Sequence, residues 1–256
     1  MAEWNSLQYE KFLYERTLPA IDLANRIMLD SPKRIIDVGC GPGNSTVVLK
    51  KRYPNAYVIG VDNSQNMIDR ARSSYPDIEF ELFDASCDFD KLTDKFDIVF
   101  SNACIQWIPD HSKLLRNFMN ILNDGGVMAV QIPMNYEEPI HKIIMGLSAS
   151  EKWKNKFTSP RVFYNLSPEL YFDLLSDISS DFSVWQTIYC HRMPSHESII
   201  EWYRGTGLRP YLIQLDSYDA VEFESDVYSE IVHAYSLQTN GEIMFRFPRF
   251  FFIAVK

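Results

Sequence analysis

The stretch Ile35-Ile36-Asp37-Val38-Gly39-Cys40-Gly41-Pro42-Gly43-Asn44 limits what this chain can fold into more than any other. A β-branched apolar run ends in three glycines within five positions, and a helical pattern follows at once. Glycine has no Cβ and tolerates positive φ, so the turn can bring a ligand against bare main chain, and the helix start beyond it offers unpaired N–H groups. A strand, a tight turn and a helix are therefore expected in succession at a ligand site.

The surrounding pattern enlarges that unit. From Lys33 to Pro133, β-branched runs alternate with helical ones, as in a sheet covered by helices on both faces. Strands are expected over Arg34–Val38, Tyr57–Val61, Ile78–Leu82, Phe96–Ser101 and Val127–Ile132, with helices over Asn44–Tyr53, Ser64–Ser73 and His111–Leu122. The last helix should stop at a turn, Asn123-Asp124-Gly125-Gly126. Upstream, Gln8–Met28 reads as a helix that Pro19 would break.

Beyond Pro133, helices are expected over Glu137–Phe157, Ser167–Asp177, Ser195–Tyr203 and Asp219–Leu237, and strands over Phe182–His191 and Phe245–Val255. The two late strands flank a helical group, so they complete the sheet only if that group is inserted as a cap near the strands' carboxyl edge. The expected fold is α/β: a doubly wound, mostly parallel seven-stranded sheet with a helical substrate cap. Its expected segments are an N-terminal helical one (1–30), a cofactor-binding core (31–135), and the late strands with the cap (136–256).

Composition removes several classes of function. With 256 residues, 46% of them hydrophobic, the chain can bury a full core. Lys+Arg 25 against Asp+Glu 34 leaves a net charge of −9, without a basic block, which excludes a nucleic-acid partner. Cys40, Cys87, Cys104 and Cys190 form no C-x-x-C pair, so neither a disulfide framework nor a structural zinc site is expected, and the compartment should be the reducing cytoplasm. No leader and no apolar run of ~20 residues stands out, so no membrane association is expected, and the protein should be a monomer or weak homo-oligomer.

The loop reads G-x-G-x-G, whereas a dinucleotide fingerprint needs G-x-G-x-x-G. Pro42 removes a backbone donor and Asp37 adds a carboxylate, which disfavours a diphosphate and favours an ammonium group. Asp62 ends the second strand about twenty residues on, where an acid accepts ribose hydroxyls. Asp84 closes the third strand, where it can receive an adenine amino group. Acids at helix starts are often mere caps, but glycines and acids in order at three strand ends point to S-adenosylmethionine. The full expected cofactor set is Asp37, Gly39, Gly41, Gly43, Asn44, Asp62, Asn63, Met67, Asp84, Ala85, Asn102 and Trp107.

Asp37-Val-Gly-Cys-Gly-Pro-Gly with Asp62 and Asp84 resembles the motif series of class I S-adenosylmethionine-dependent methyltransferases, over Lys33 to Pro133. The Asn/Asp-Pro-Pro-aromatic motif of base-methylating relatives is absent after the fourth strand, where Asn102 to Asp110 stand instead. A narrower resemblance spans nearly the whole chain. Glu3-Trp4-Asn5 with Glu15-Arg16, Gln106-Trp-Ile-Pro-Asp-His, Met193-Pro-Ser-His, Glu201-Trp202, Thr206-Gly-Leu-Arg-Pro210 and Phe247-Pro-Arg249 are similar to the trans-aconitate methyltransferase family. That resemblance implies esterification of one carboxylate of a small tricarboxylate, giving a monomethyl ester and S-adenosylhomocysteine.

Between Trp185 and Val255 every basic Lys/Arg position is arginine: Arg192, Arg204, Arg209, Arg246 and Arg249. Arginine forks suit carboxylates, although the acidic run Asp216 to Glu230 should claim some of the five. The expected acceptor contacts are Gln106, Trp107, His141, His191, Arg192, Trp202, Arg209 and Arg246. His191 and His196 stand five apart without a third ligand, so no metal site is expected. Trp4, Tyr9 and Arg16 are candidates for closing over the cofactor. A carboxylate is ionised near neutrality, so no catalytic acid or base is expected. The competing readings are methylation of another acid such as a malonyl thioester, a non-catalytic S-adenosylmethionine sensor, and a nucleotide-dependent oxidoreductase.

Overall fold

A computed structural model describes residues 13–158, 162 and 164–256. Two compact units divide the chain: one takes residues 16–133, 163–187 and 249–256, the other the remainder, chiefly 134–162 and 188–248. Trp4 and Tyr9, with the start of the first expected helix, lie outside the described residues.

The larger unit is built on β1 (Arg34–Val38), β2 (Tyr57–Asp62), β3 (Glu79–Leu82), β4 (Phe96–Asn102) and β5 (Leu122–Pro133). The sheet is completed by β6 (Asp181–Met193) and β7 (Ile243–Val255) in the order β3-β2-β1-β4-β5-β7-β6. The pairs β2–β3, β1–β2, β1–β4 and β4–β5 are parallel, while β7 runs antiparallel to β5. Strand order reverses between β1 and β4, and ligands of such sheets bind outside the carboxyl ends of the strands there. β1 is buried from Ile35 to Val38 and β5 from Gly126 to Ile132, the continuous burial of strands covered on both faces.

The helices are α1 (Leu13–Asn25), α2 (Asn44–Arg52), α3 (Gln65–Ser74), α4 (His111–Asn120), α5 (Pro139–Ser148), α6 (Pro168–Ile178), α7 (His196–Arg204), α8 (Arg209–Leu212) and α9 (Ser217–Ala234). Pro19 lies inside α1 without dividing it. Ala20, Leu23 and Ala24 are buried on the following turns, and this packing outweighs the hydrogen bond that proline removes.

Asn123 to Gly126 do not form the expected turn: α4 stops at Asn120, and these residues open β5. Leu122 pairs with Phe96, an irregularity follows, and Gly125 (φ 73°) donates its N–H to the Lys256 carbonyl. The glycine pair thus serves a bulge in a strand. The helix expected from Glu137 to Phe157 is α5 followed by turns, in which Trp153 is buried. The Gly-Leu-Arg-Pro segment enters the short α8 instead of remaining a turn.

Candidate functional site

At the end of β1 the three glycines differ in what requires them. Gly39 (φ 77°) could carry no Cβ, which would stand 2.1 Å from the Cys104 sulfur, and at Gly43 (φ 94°) it would stand 2.8 Å from the Tyr75 ring. At Gly41 (φ 54°) a Cβ would meet nothing within 4 Å, so this glycine serves backbone conformation and leaves the main chain open to a ligand. The N–H groups of Gly39 and Cys40 donate to the Val61 carbonyl at 2.8 and 3.0 Å, tying the turn to β2.

Asp37 is fully buried, and one of its oxygens, Oδ2, accepts from Ser45 Oγ (2.6 Å) and Thr46 Oγ1 (2.7 Å) in the first turn of α2. Its other oxygen, Oδ1, is buried with no hydrogen-bond partner among the described residues. Burial pushes the carboxyl up to about 6, against the lowering effect of the two hydroxyls. The aspartate therefore anchors the helix that follows the loop and retains one unfilled acceptor.

Asp62 is half-buried at the end of β2, where Oδ2 accepts from Gly41 N–H (3.0 Å) and Oδ1 from Ser64 N–H (2.9 Å). Burial raises its pKa, and both backbone bonds oppose the rise. Asp84 is half-buried and accepts from Ser86 N–H at 2.8 Å, with Ala85 buried beside it. Of the other expected cofactor contacts, Asn44 and Met67 are half-buried and Asn63 is exposed. Because β3, β2 and β1 are adjacent, the three acids share one end of the sheet. Carboxylates around an open glycine fit a cationic ligand that bears hydroxyls and do not fit a diphosphate.

After β4, Ala103 adopts φ 55°, unusual for a residue other than glycine. Its N–H donates to the Gln131 carbonyl (2.9 Å), and its own carbonyl accepts from Gln106 Nε2 (2.6 Å). Gln106 is buried, whereas Trp107 is 52% exposed and so does not serve the core. The turn Ile105–Trp107 is fixed by His111, whose Nε2 donates to the Ile105 carbonyl at 2.8 Å while Nδ1 accepts from the Tyr171 hydroxyl at 2.7 Å. Burial lowers the His111 pKa, keeping the ring neutral.

The second unit holds its own buried polar cluster. Asn135 Nδ2 donates to the Tyr203 hydroxyl (3.1 Å), which is also 3.1 Å from His141 Nε2, and all three residues are buried. His191 is buried and stacked on Trp202 with ring centroids 5.0 Å apart. Arg192 does not fit the substrate contact expected of it: its side chain is 80% exposed and its fork is closed on Glu242 at 2.8 and 2.9 Å. Arg204 pairs likewise with Glu224. Arg209 is half-buried at the start of α8, and Arg246 is exposed on β7.

Sequence reasoning gave no role to His111, Tyr171, Gln131, Asn135 or Tyr203, and it counted Arg249 among the five arginines without choosing it for the acceptor; Arg249 is 7% exposed and lies in the larger unit. A glutamine within the apolar run Val127–Ile132 was the available signal for Gln131. Among the described residues there is no cluster of metal-binding side chains, and no helix is long and apolar enough to cross a membrane.

A methyltransferase-domain family model matches residues 29–188. The trans-aconitate 2-methyltransferase of Methylobacterium radiotolerans is 40% identical over 261 aligned positions, covering 100% of this chain and 99% of the relative. That of Enterobacter sp. (strain 638) is 38% identical, covering 99% and 98%. Among solved structures, the YcgJ protein of Bacillus subtilis aligns with a TM-score of 0.61 at 17% identity, covering 93% of this chain and 98% of that one. A Haemonchus contortus phosphoethanolamine N-methyltransferase 2 in complex with S-adenosyl-L-methionine aligns with a TM-score of 0.59 at 20% identity, over 98% of this chain and 56% of that one.

Proposed function

The chain belongs to the trans-aconitate 2-methyltransferase family of S-adenosylmethionine-dependent enzymes, and from that premise we propose that it esterifies one carboxylate of trans-aconitate to give the monomethyl ester. The observation that carries this reading is the extent of the identity. The alignment continues through residues 134–248, most of which lie outside the strands of the sheet, so it bears on the acceptor as well as on the methyl donor.

The cofactor supplies an electrophilic methyl group on a positively charged sulfur. Gly41 offers open main chain, Asp62 has lone pairs left for ribose hydroxyls beyond the two backbone bonds it accepts, and Asp84 stands at the next strand end for the base. Asp37 Oδ1 and Asn102 Oδ1, both buried without a partner among the described residues, are acceptors suited to an ammonium group. Asn44, Asn63, Met67, Ala85 and Trp107 complete the proposed cofactor surface.

The acceptor carboxylate is already ionised, since such groups titrate near pKa ~4, and no side chain need remove a proton from it. The chain's task is alignment and exclusion of water, and well-placed partners reach effective molarities of about 10⁵–10⁸ M. Gln106 and Trp107 are proposed to face the transferring methyl group. Within the larger unit the buried Arg249 is the proposed anion donor; Arg209, Arg246, His141, His191 and Trp202, all of the other unit, stay candidates for acceptor contact on their sequence alone. A cytoplasmic location and a monomer or weak homo-oligomer remain part of the proposal.

Mass spectrometry of reactions with S-adenosylmethionine and a panel of di- and tricarboxylic acids tests the reading. A monomethyl ester formed from trans-aconitate in preference to the other acids is expected; no ester from any of them would overturn it.

A further inference from the structure

Gln131 is the most anomalous polar residue of the larger unit. It is fully buried in β5, between Val130 and Ile132, and neither its Nε2 nor its Oε1 has a hydrogen-bond partner among the described residues. Buried amides are almost always paired, because an unfilled donor or acceptor forfeits its hydration without replacement. Its main-chain carbonyl accepts from the N–H of Ala103, the residue of positive φ after β4.

The sheet register shows what accompanies it. Gln131 lies opposite Asn102 on β4 and Phe251 on β7, and residues directly opposite one another face the same side of a sheet. Arg249 lies opposite Pro133, two positions further along, and so belongs to that same face. Asn102 Oδ1 and Gln106 Oε1 are also buried without partners among the described residues. Three neutral amides thus stand at or just beyond the carboxyl ends of β4 and β5; each carries an unfilled buried oxygen, and Gln131 Nε2 is an unfilled buried donor as well.

We propose that the Gln131 carboxamide orients the carboxylate that receives the methyl group, donating one hydrogen bond to the oxygen that does not attack. This rests on the proposed esterification and deepens it. A neutral donor suits the reacting carboxylate better than an arginine does: a guanidinium fork takes both oxygens and draws charge from the nucleophile, whereas one amide N–H fixes a single oxygen and leaves the other electron-rich. The oxygens of Asn102, Gln106 and Gln131 make the row electronegative toward a cationic methyl donor. Selection of one carboxylate of the acceptor would then follow from which of them reaches Gln131 while an arginine holds another.

The test uses the full chain with Gln131→Leu, and Gln131→Met as a second variant if leucine impairs folding. Four quantities are read: acceptor affinity by calorimetry in the presence of S-adenosylhomocysteine, kcat/KM for the acceptor, cofactor affinity, and melting temperature. Acceptor affinity and kcat/KM should fall about 10- to 100-fold, the size expected for one hydrogen bond to a charged group. Cofactor affinity should stay within about twofold, and melting temperature should hold or rise because an unpaired buried amide has been removed. Unchanged acceptor binding, or equal loss of both ligands, would overturn the assignment of Gln131 alone. If wild-type protein formed no ester, the proposed function itself would fall, and the role of Gln131 with it.

Discussion

The proposed contact of Asp37 with the cofactor would tie cofactor recognition to pH. Folding raises the Asp37 pKa from 3.8 to about 6, so its protonated form is favoured in the native state. The contribution to stability is therefore fully present below about pH 4 and is lost as pH rises through 6, amounting to about 3 kcal/mol. A cationic ligand favours the ionised form. S-adenosylmethionine affinity should thus rise between pH 5 and 7, by up to about tenfold per unit, and level off above. Calorimetry across that range on wild type and Asp37→Asn checks this, and a slope that survives in the variant would remove Asp37 as its source. At Asp62, replacement by alanine takes away the acceptor of Gly41 N–H and the proposed ribose ligand together, and the cofactor dissociation constant should rise about tenfold or more in titration. The placement of both acids at strand ends was legible in the sequence because it follows from the hydrophobic runs and the glycines beside them. The inward direction of Asp37 was not, since it depends on Ser45 and Thr46 of the next helix.

Among the elements, the turn Ile105–Trp107 shows how a recognisable motif depends on partners distant in the chain. His111 bonds to Ile105 within the motif, but its other nitrogen is held by Tyr171 of α6, sixty residues on. His111→Phe breaks both bonds and strands two buried polar groups, so the urea midpoint should report a loss of about 2–4 kcal/mol, against about 1 kcal/mol for Tyr171→Phe. The double variant should cost less than the sum, because the shared bond is lost only once. The strand–turn–helix succession was readable because hydrophobic period and glycine placement are local properties. Two boundaries were misread where tertiary contacts overruled local signals: Asn123 to Gly126 form an irregularity within β5, with Gly125 and Gly126 bonded to Lys256, and packing at Ala20, Leu23 and Ala24 carries α1 through Pro19. The arginines show the same limit, since only the folded chain reveals that Glu242 takes Arg192 while Arg249 is buried.

For the whole molecule, the cradle and the net charge of −9 together predict which ligands stabilise the native state. A ligand that binds only the folded protein adds about 2.7 kcal/mol at a hundred times its dissociation constant. For a chain of this length each kcal/mol moves the melting temperature by about 2–4 °C. S-adenosylmethionine at that excess should therefore raise it by about 5–10 °C. A nicotinamide dinucleotide should give no shift, because its diphosphate would meet Asp37, Asp62 and Asp84 where a dinucleotide fold presents N–H donors and a longer glycine loop. A tricarboxylate alone should shift it little, since the protein's net field repels a trianion, and more once S-adenosylmethionine has brought positive charge to the acid-rich strand ends. The order of addition thus separates the two binding steps. A shift with the dinucleotide equal to that with S-adenosylmethionine would contradict the reading of the three acids, and a tricarboxylate shift indifferent to the cofactor would contradict their electrostatic coupling.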